Sequence, residues 1–307
     1  MKRINRIISA GAIFLALVLA PALSLAELSI TLNNSFIEKY KNRTSIDTTF
    51  TVDQAHKKPN PPKKDGDLHI AGRAPEVGLP VVAEIMNAAF EKEAVDFIHN
   101  VEGTGKAIKM SGAWRIWCEH GGNSNQIQGE KLSPFTSSNP DHVFEIHPVT
   151  KIDGKDVLKS LKPIEGFKPK DAHDAFIRYE NLKCTLTPDP QKKTTTIRTT
   201  MAGYNYVEFI MEIQGEQKEV EDGRLVMASV LDLDEELLVR NRRMVFVKDS
   251  PPEKAVRNLK KGDKLHVLRL PRVDLAVISW RINHYKDKKE VLTWRLPYEI
   301  IVVGVYK

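Results

Sequence analysis

Asp67-Leu68-His69-Ile70-Ala71 alternates polar and apolar residues as a half-buried strand does, and Leu79-Pro80-Val81-Val82-Ala83-Glu84-Ile85 follows as a second strand of greater apolar density. Pro75-Glu76-Val77-Gly78 lies between them and supplies turn chemistry, so the two runs are predicted to form a hairpin. Just downstream the period changes. Phe90, Ala94, Phe97, Ile98 and Val101 recur at helical spacing across residues 88–101, and Gly103 and Gly105 end the helix. Residues 106–118 read as a strand with a glycine kink at Gly112, and residues 143–152 as another strand beyond a polar loop at 121–140. Upstream, residues 28–32 and 48–52 are apolar, β-branched-rich runs, separated from the hairpin by a proline-rich basic loop at 56–64 that cannot be a central strand. Three strands, a helix and two strands is the order of an OB-fold, a small closed Greek-key barrel.

The second half repeats the order of elements without repeating the sequence. Residues 204–213, 224–231 and 243–248 read as strands. Residues 251–259 read as a short helix opened by Ser250 and two prolines. Residues 264–270, 275–282 and 299–306 read as further strands. The expected fold is therefore mainly β, with two tandem OB-fold-like five-stranded barrels, each carrying a helix between strands 3 and 4. The first spans residues 27–152, a Lys-, Asp-, Gly- and Pro-rich linker 153–175, and the second 176–307.

Residues 1–26 read as a cleavable secretory signal. Lys2, Arg3 and Arg6 precede an apolar stretch over residues 7–19, Pro21 ends it, and Ser24-Leu25-Ala26 offers small residues for cleavage. A run of roughly 13 residues falls short of the ~20 that span a bilayer. No later segment is apolar enough, so no transmembrane anchor is expected after cleavage, and the expected address is periplasmic or secreted. The signal holds three of the 46 basic residues and none of the 40 acidic ones, so its loss lowers the net charge from +6 to +3. That weakens the case for nucleic acid made by the whole-chain pI. Export also makes a bridge between Cys118 and Cys184 chemically permissible; buried independent thiols are the alternative.

One constellation stands out. Residues two apart on a strand share a face, so Asp67 and His69 point together. A hairpin turning about Glu76-Val77 sets His69 opposite Glu84. In an OB barrel the third strand also neighbours the fifth, which contains Glu145-Ile146-His147-Pro148. Asp67, His69, Glu84, Glu145 and His147 are therefore expected to meet on one side of the first barrel. Such a set could bind a divalent metal, form an acid–base pair, or satisfy its own members by hydrogen bonding. Trp114 and Trp117 flank Arg115 and are candidates for stacking bases, although their odd spacing allows at most one to line a groove.

Asp65-Gly66-Asp67-Leu68-His69, with Ala83-Glu84-Ile85, the Gly112-Ala113-Trp114 strand and the Glu145–Val149 segment, resembles the motifs of a family of exported bacterial OB-fold-like domains over residues 45–152. The resemblance implies the fold and no activity. A looser similarity is to the thermonuclease family, also exported OB-folds with an Asp-Gly-Asp motif, in which the second aspartate is a calcium ligand matched by Asp67. That family's next strand bears an arginine, which residues 79–85 lack.

The expected function is an exported binding or interaction module using the Asp67 side of the first barrel, with a protein, an oligosaccharide or single-stranded nucleic acid as partner. The alternative is a metal-dependent hydrolase of phosphodiesterase or nuclease type at the same residues. No phosphate-cradling glycine loop, nucleophile elbow or dinucleotide fingerprint is present.

Overall fold

The computed structural model describes residues 27–122, 125–285, 289–293 and 295–307; the expected signal lies outside them. In chain order the first half contains β1 (Glu27–Asn33), α1 (Asn34–Tyr40), β2 (Ile46–Ala55), β3 (Leu68–Arg73), β4 (Pro80–Ile85), α2 (Lys92–Val101), β5 (Ala107–Ile116), β6 (Asn125–Ile127), β7 (Phe144–Ile152) and β8 (Lys155–Asp156). The second half contains α3 (Ala172–Glu180), β9 (Cys184–Asp189), β10 (Thr194–Thr200), β11 (Val207–Val220), β12 (Gly223–Leu231) and β13 (Leu237–Val247). It ends with α4 (Pro251–Val256), β14 (Lys264–Val273), α5 (Leu275–His284), β15 (Val291–Thr293) and β16 (Tyr298–Val305).

The fold is mainly β, with two closed five-stranded barrels. The first runs β2-β3-β4-β7-β5 and closes on β2; the second runs β11-β12-β13-β16-β14 and closes on β11. Each has one parallel contact, between its third and fifth strands, and each places a helix between its third and fourth. In the first barrel alternate residues fill the interior. Leu68 and Ile70, Val81, Ala83 and Ile85, and Phe144 and Ile146 join one core, and their strand neighbours point outward. Gly112 sits at the bulges between β5 and β7, where a Cβ would lie 2.4 Å from the carbonyl oxygen of Pro148 and 2.9 Å from Val149 Cα. The glycine lets the strand bend tightly there.

A third sheet, of order β15-β9-β10-β1-β6, is absent from the sequence reading. β6 lies in the loop between the fourth and fifth strands of the first barrel, and β15 lies in the equivalent loop of the second. The two loops thus supply opposite edges of one sheet, with β1 and the β9–β10 hairpin between them. β1 accordingly pairs with a strand from the second half of the chain rather than with its own barrel.

Residues 153–175 are not a free linker. Val157, Leu161 and Ile164 are buried, Asn87 Nδ2 donates to the carbonyls of Ser160 (3.0 Å) and Lys162 (2.9 Å), and the 162–163 backbone lies against Gly304. Residues 275–282, expected as a strand, form helix α5. The Asp274 carboxylate caps it by accepting from the amides of Ala276 and Val277, and Leu275, Ile278, Ser279 and Ile282 are buried at helical spacing. Residues 88–101 divide into a 3₁₀ turn at Ala88–Phe90 and α2. Cys118 and Cys184 are both free and buried, which corrects the disulfide expectation. Cys184 lies on β9 with its thiol 2.7 Å from Thr293 Oγ1 on β15, whereas Cys118 follows β5 and its carbonyl accepts from Ala202 N. Among the described residues no helix is long and apolar enough to cross a membrane.

Candidate functional site

The hairpin register is the one that the turn arithmetic implies: His69 pairs with Glu84. β4 then runs parallel to β7 with Val82 beside Glu145, so the outward faces of β3, β4 and β7 bring the five residues together. His69 Nε2 stands 3.4 Å from Glu84 Oε2, and His147 Nδ1 stands 3.4 Å from the same oxygen and 3.2 Å from Glu145 Oε2. His147 Nε2 stands 3.4 Å from Asp67 Oδ2. Two further members carried no motif. Arg115, on the outward face of β5, is ion-paired with Glu145, and His142 precedes β7 with its Nε2 3.5 Å from Glu145 Oε1.

The second half of the chain roofs this cluster. Tyr206, just before β11, donates its hydroxyl to Asp67 Oδ2 at 2.7 Å and lies 2.7 Å from His147 Nε2. Arg115 donates from Nε to the carbonyl of Pro271 on β14 at 2.8 Å and also reaches Asn205. Beside it an apolar seam joins Met86 and Ala113 to Ile164, Tyr206, Leu268, Leu270, Ile301 and Val303. Asp67, Glu84, Glu145 and His147 are consequently at most 3% exposed. The side of the first barrel expected to face a ligand faces the second barrel.

Burial and charge pull the titrations apart. Burial pushes Asp67 up to about 7 and Glu119, the neighbour of Arg115, also to about 7. Burial opposes a charge on His147, but Glu84, Asp67 and Glu145 outweigh it and hold the imidazole at about 10. Burial likewise opposes ionisation of Glu145, and Arg115, His142 and His147 overcome it to hold the carboxylate well below its usual range. Burial and the Asp67 charge keep the Tyr206 phenol protonated far above its ordinary range. Two groups of donor atoms could hold a metal: Asp67, Glu84 and His147, and Glu84, His142 and Glu145.

Neither tryptophan considered for stacking presents its ring to solvent. Trp114 lies beneath the Arg272 guanidinium, 3.6 Å from its ring centroid, and Trp117 packs edge-on against Tyr179 at 5.3 Å.

An open face exists on the second barrel instead. A groove of about 450 Å³ runs between β12–β13 and the loop joining the fourth and fifth strands. Met227 and Arg243 line one wall, and Trp280 of α5, with Leu296 and Pro297, lines the other. Trp280 is 57% exposed and stacks on His284 at 4.8 Å with 12° between the rings. Arg242 and Arg281 also line it, and the Nε of each makes no hydrogen bond among the described residues. The acidic partners here are Glu180, which pairs with Arg242 and Arg295, and Asp274 and Glu299, which pair with Arg243. The apolar run over 275–282 suits a strand as well as a helix, and as a strand it does not bring Trp280 to this groove.

No family model and no curated protein matches the chain. Two solved structures are similar to it at a TM-score of 0.19. One, described as "Structure of murine DNA binding protein bound with ds DNA", is 11% identical, with 84% of this chain and 99% of that chain covered. The other, described as "Structural mimicry for functional antagonism", is 12% identical, with coverage of 86% and 98%. Likeness at that level carries no argument about fold or function.

Proposed function

We propose that this chain is an exported binding module whose ligand is an oligosaccharide held in the groove of the second barrel. The observation that carries the reading is Trp280, a largely exposed indole on the wall facing strands 2 and 3. OB-folds take extended ligands across those two strands and the adjoining loops. The indole offers a flat apolar surface to the C–H face of a sugar ring. Arg295, whose side chain is half exposed on the same groove, offers N–H donors to the ring's hydroxyl or carboxylate oxygens.

Charge decides between a glycan and a phosphate chain. Five guanidiniums, those of Arg242, Arg243, Arg281 and Arg295 and of Arg272 beneath them, stand against the carboxylates of Glu180, Asp274 and Glu299. The local excess is about two positive charges, small beside the several phosphate contacts on which nucleic-acid affinity rests. The mature chain at +3 adds little steering. The hydrolase alternative needs substrate to reach Asp67, Glu84, Glu145 and His147, which are at most 3% exposed, so the binding reading is preferred.

Calorimetric titration with neutral and acidic oligosaccharides and with single-stranded DNA, at several salt concentrations, tests the proposal. Trp280→Ala should weaken glycan binding by about 5- to 150-fold, as loss of a stacking contact of about 1–3 kcal/mol implies. Glycan affinity indifferent to Trp280→Ala would refute the assignment of the groove. DNA binding that weakens steeply with salt, with no glycan bound, would replace the sugar by nucleic acid.

A further inference from the structure

Given the glycan reading of the groove, on which this rests, we infer that the oligosaccharide is acidic, a chain of uronate type whose ring carboxylates are held by Arg281 and Arg295 beside the Trp280 indole.

The charges at the groove do not close on themselves. Arg243 and Arg272 stand against Asp274 and Glu299: Arg243 pairs with both carboxylates and Arg272 with Glu299, so this group is neutral. Glu180 is shared by the guanidiniums of Arg242 and Arg295, which leaves one positive charge over. Arg281 makes no ion pair among the described residues and leaves a second. Of the described residues that line the groove four are arginines, and Asp274 is the one acid.

The surplus stands where a ligand would lie. Arg281 follows Trp280 on α5, and Arg295 precedes Leu296 and Pro297, which face the same groove. Arg295 is half exposed and Arg281 partly so. A sugar ring seated on the indole displaces water from both. A neutral ring would leave two cations poorly solvated and without an anion, which is unfavourable. A ring carboxylate offsets that loss, because its two oxygens match the planar guanidinium fork and accept two parallel N–H bonds from it.

The size of the surplus selects the class of ligand. Each uronate ring brings one negative charge, so a short acidic glycan balances Arg281 and the Glu180 pair within a groove of about 450 Å³. A nucleic acid relies on a longer run of phosphate contacts than these arginines offer.

The test is calorimetry on the full mature chain with matched probes: oligomers of galacturonate, glucuronate and mannuronate, each beside its methyl ester, which keeps the ring and removes the charge. At low salt an acid should bind about 5- to 30-fold more tightly than its ester, since a partly exposed ion pair is worth up to about fivefold and two are available. The preference should shrink as salt is raised. Arg281→Gln combined with Arg295→Gln should bring acid and ester to about equal affinity, whereas Trp280→Ala should weaken both and keep the preference. Should the double variant not fold, acid against ester on the unaltered chain decides alone. Acid and ester bound equally, and both weakened by Trp280→Ala, would overturn the acidic assignment and leave the glycan groove standing. A preference that survives the double variant overturns the assignment to these two arginines. A sulfated neutral oligosaccharide bound where uronates are not overturns the carboxylate. Failure of uronates, esters and neutral sugars alike defeats the glycan reading itself.

Discussion

Arg272 is the residue whose removal most directly tests how the two halves hold together. It sits on β14 of the second barrel, 1% exposed, with its guanidinium spread over the first half of the chain. Nη1 donates to the carbonyls of Thr44 (3.1 Å) and Trp114 (3.0 Å), and Nη2 to that of Arg43 (2.9 Å). Nε donates to Glu299 Oε1 at 2.8 Å within its own barrel. Burial lowers its pKa from the ordinary arginine value, the mark of a charge held in a poorly solvated place.

Arg272→Ala removes all four bonds, but not all four acceptors are stranded. Glu299 keeps Arg243, and the Arg43 carbonyl keeps Trp114 Nε1 at 2.9 Å. The bonds to Thr44 and Trp114 remain to be counted, at about 1.5–3 kcal/mol each for a charged donor. The expected loss is about 3–5 kcal/mol, the range found when one member of a buried charged pair is removed. That is a large share of the ~5–15 kcal/mol that stabilises a typical fold. Urea unfolding followed by far-UV circular dichroism and by tryptophan fluorescence is the assay. The variant should unfold at lower urea, with the two signals separating, because the missing bonds cross between the barrels. A loss under about 1 kcal/mol with coincident transitions would refute the reasoning. The shared sheet and the apolar seam would then suffice to hold the barrels.

Three other outcomes follow from particular residues. Asp67 is raised by burial from 3.8 to about 7, so its contribution is full below pH 3.8 and lost as pH rises through 7. Asp67→Asn should therefore gain on the parent by up to about 4 kcal/mol between pH 4 and 7, at 1.36 kcal/mol per pH unit; parallel stability curves would contradict this. Gly112→Ala should cost about 1–3 kcal/mol, because its Cβ would meet the Pro148 and Val149 backbone, and an unchanged melting temperature would argue against the tight bend. Cys118, whose thiol burial pushes up to about 12, and Cys184 should react slowly with a thiol reagent when native and both react at once in denaturant. Absence of free thiol in unreduced, unfolded protein would restore the disulfide.

What the amino-acid sequence determined by itself was local and periodic. The two-residue alternation of β3, β4 and β7, the helical spacing of α2 and the turn after Arg73 are short-range signals. Together they specify the barrel order and the pairing of His69 with Glu84. The same alternation carries Asp67, Glu145 and His147 to one face, because a strand's period of two is rigid. The tertiary structure alone decided what that face meets. Tyr206 reaches Asp67 across 139 positions and Arg272 reaches Trp114 across 158, and no local period encodes such contacts. The apolar run from Leu275 to Ile282 suits a strand or a buried helix equally by composition; the Asp274 cap and packing made it a helix and so exposed Trp280. Likewise the third sheet arises only when two distant loops are brought to its edges by barrels already closed.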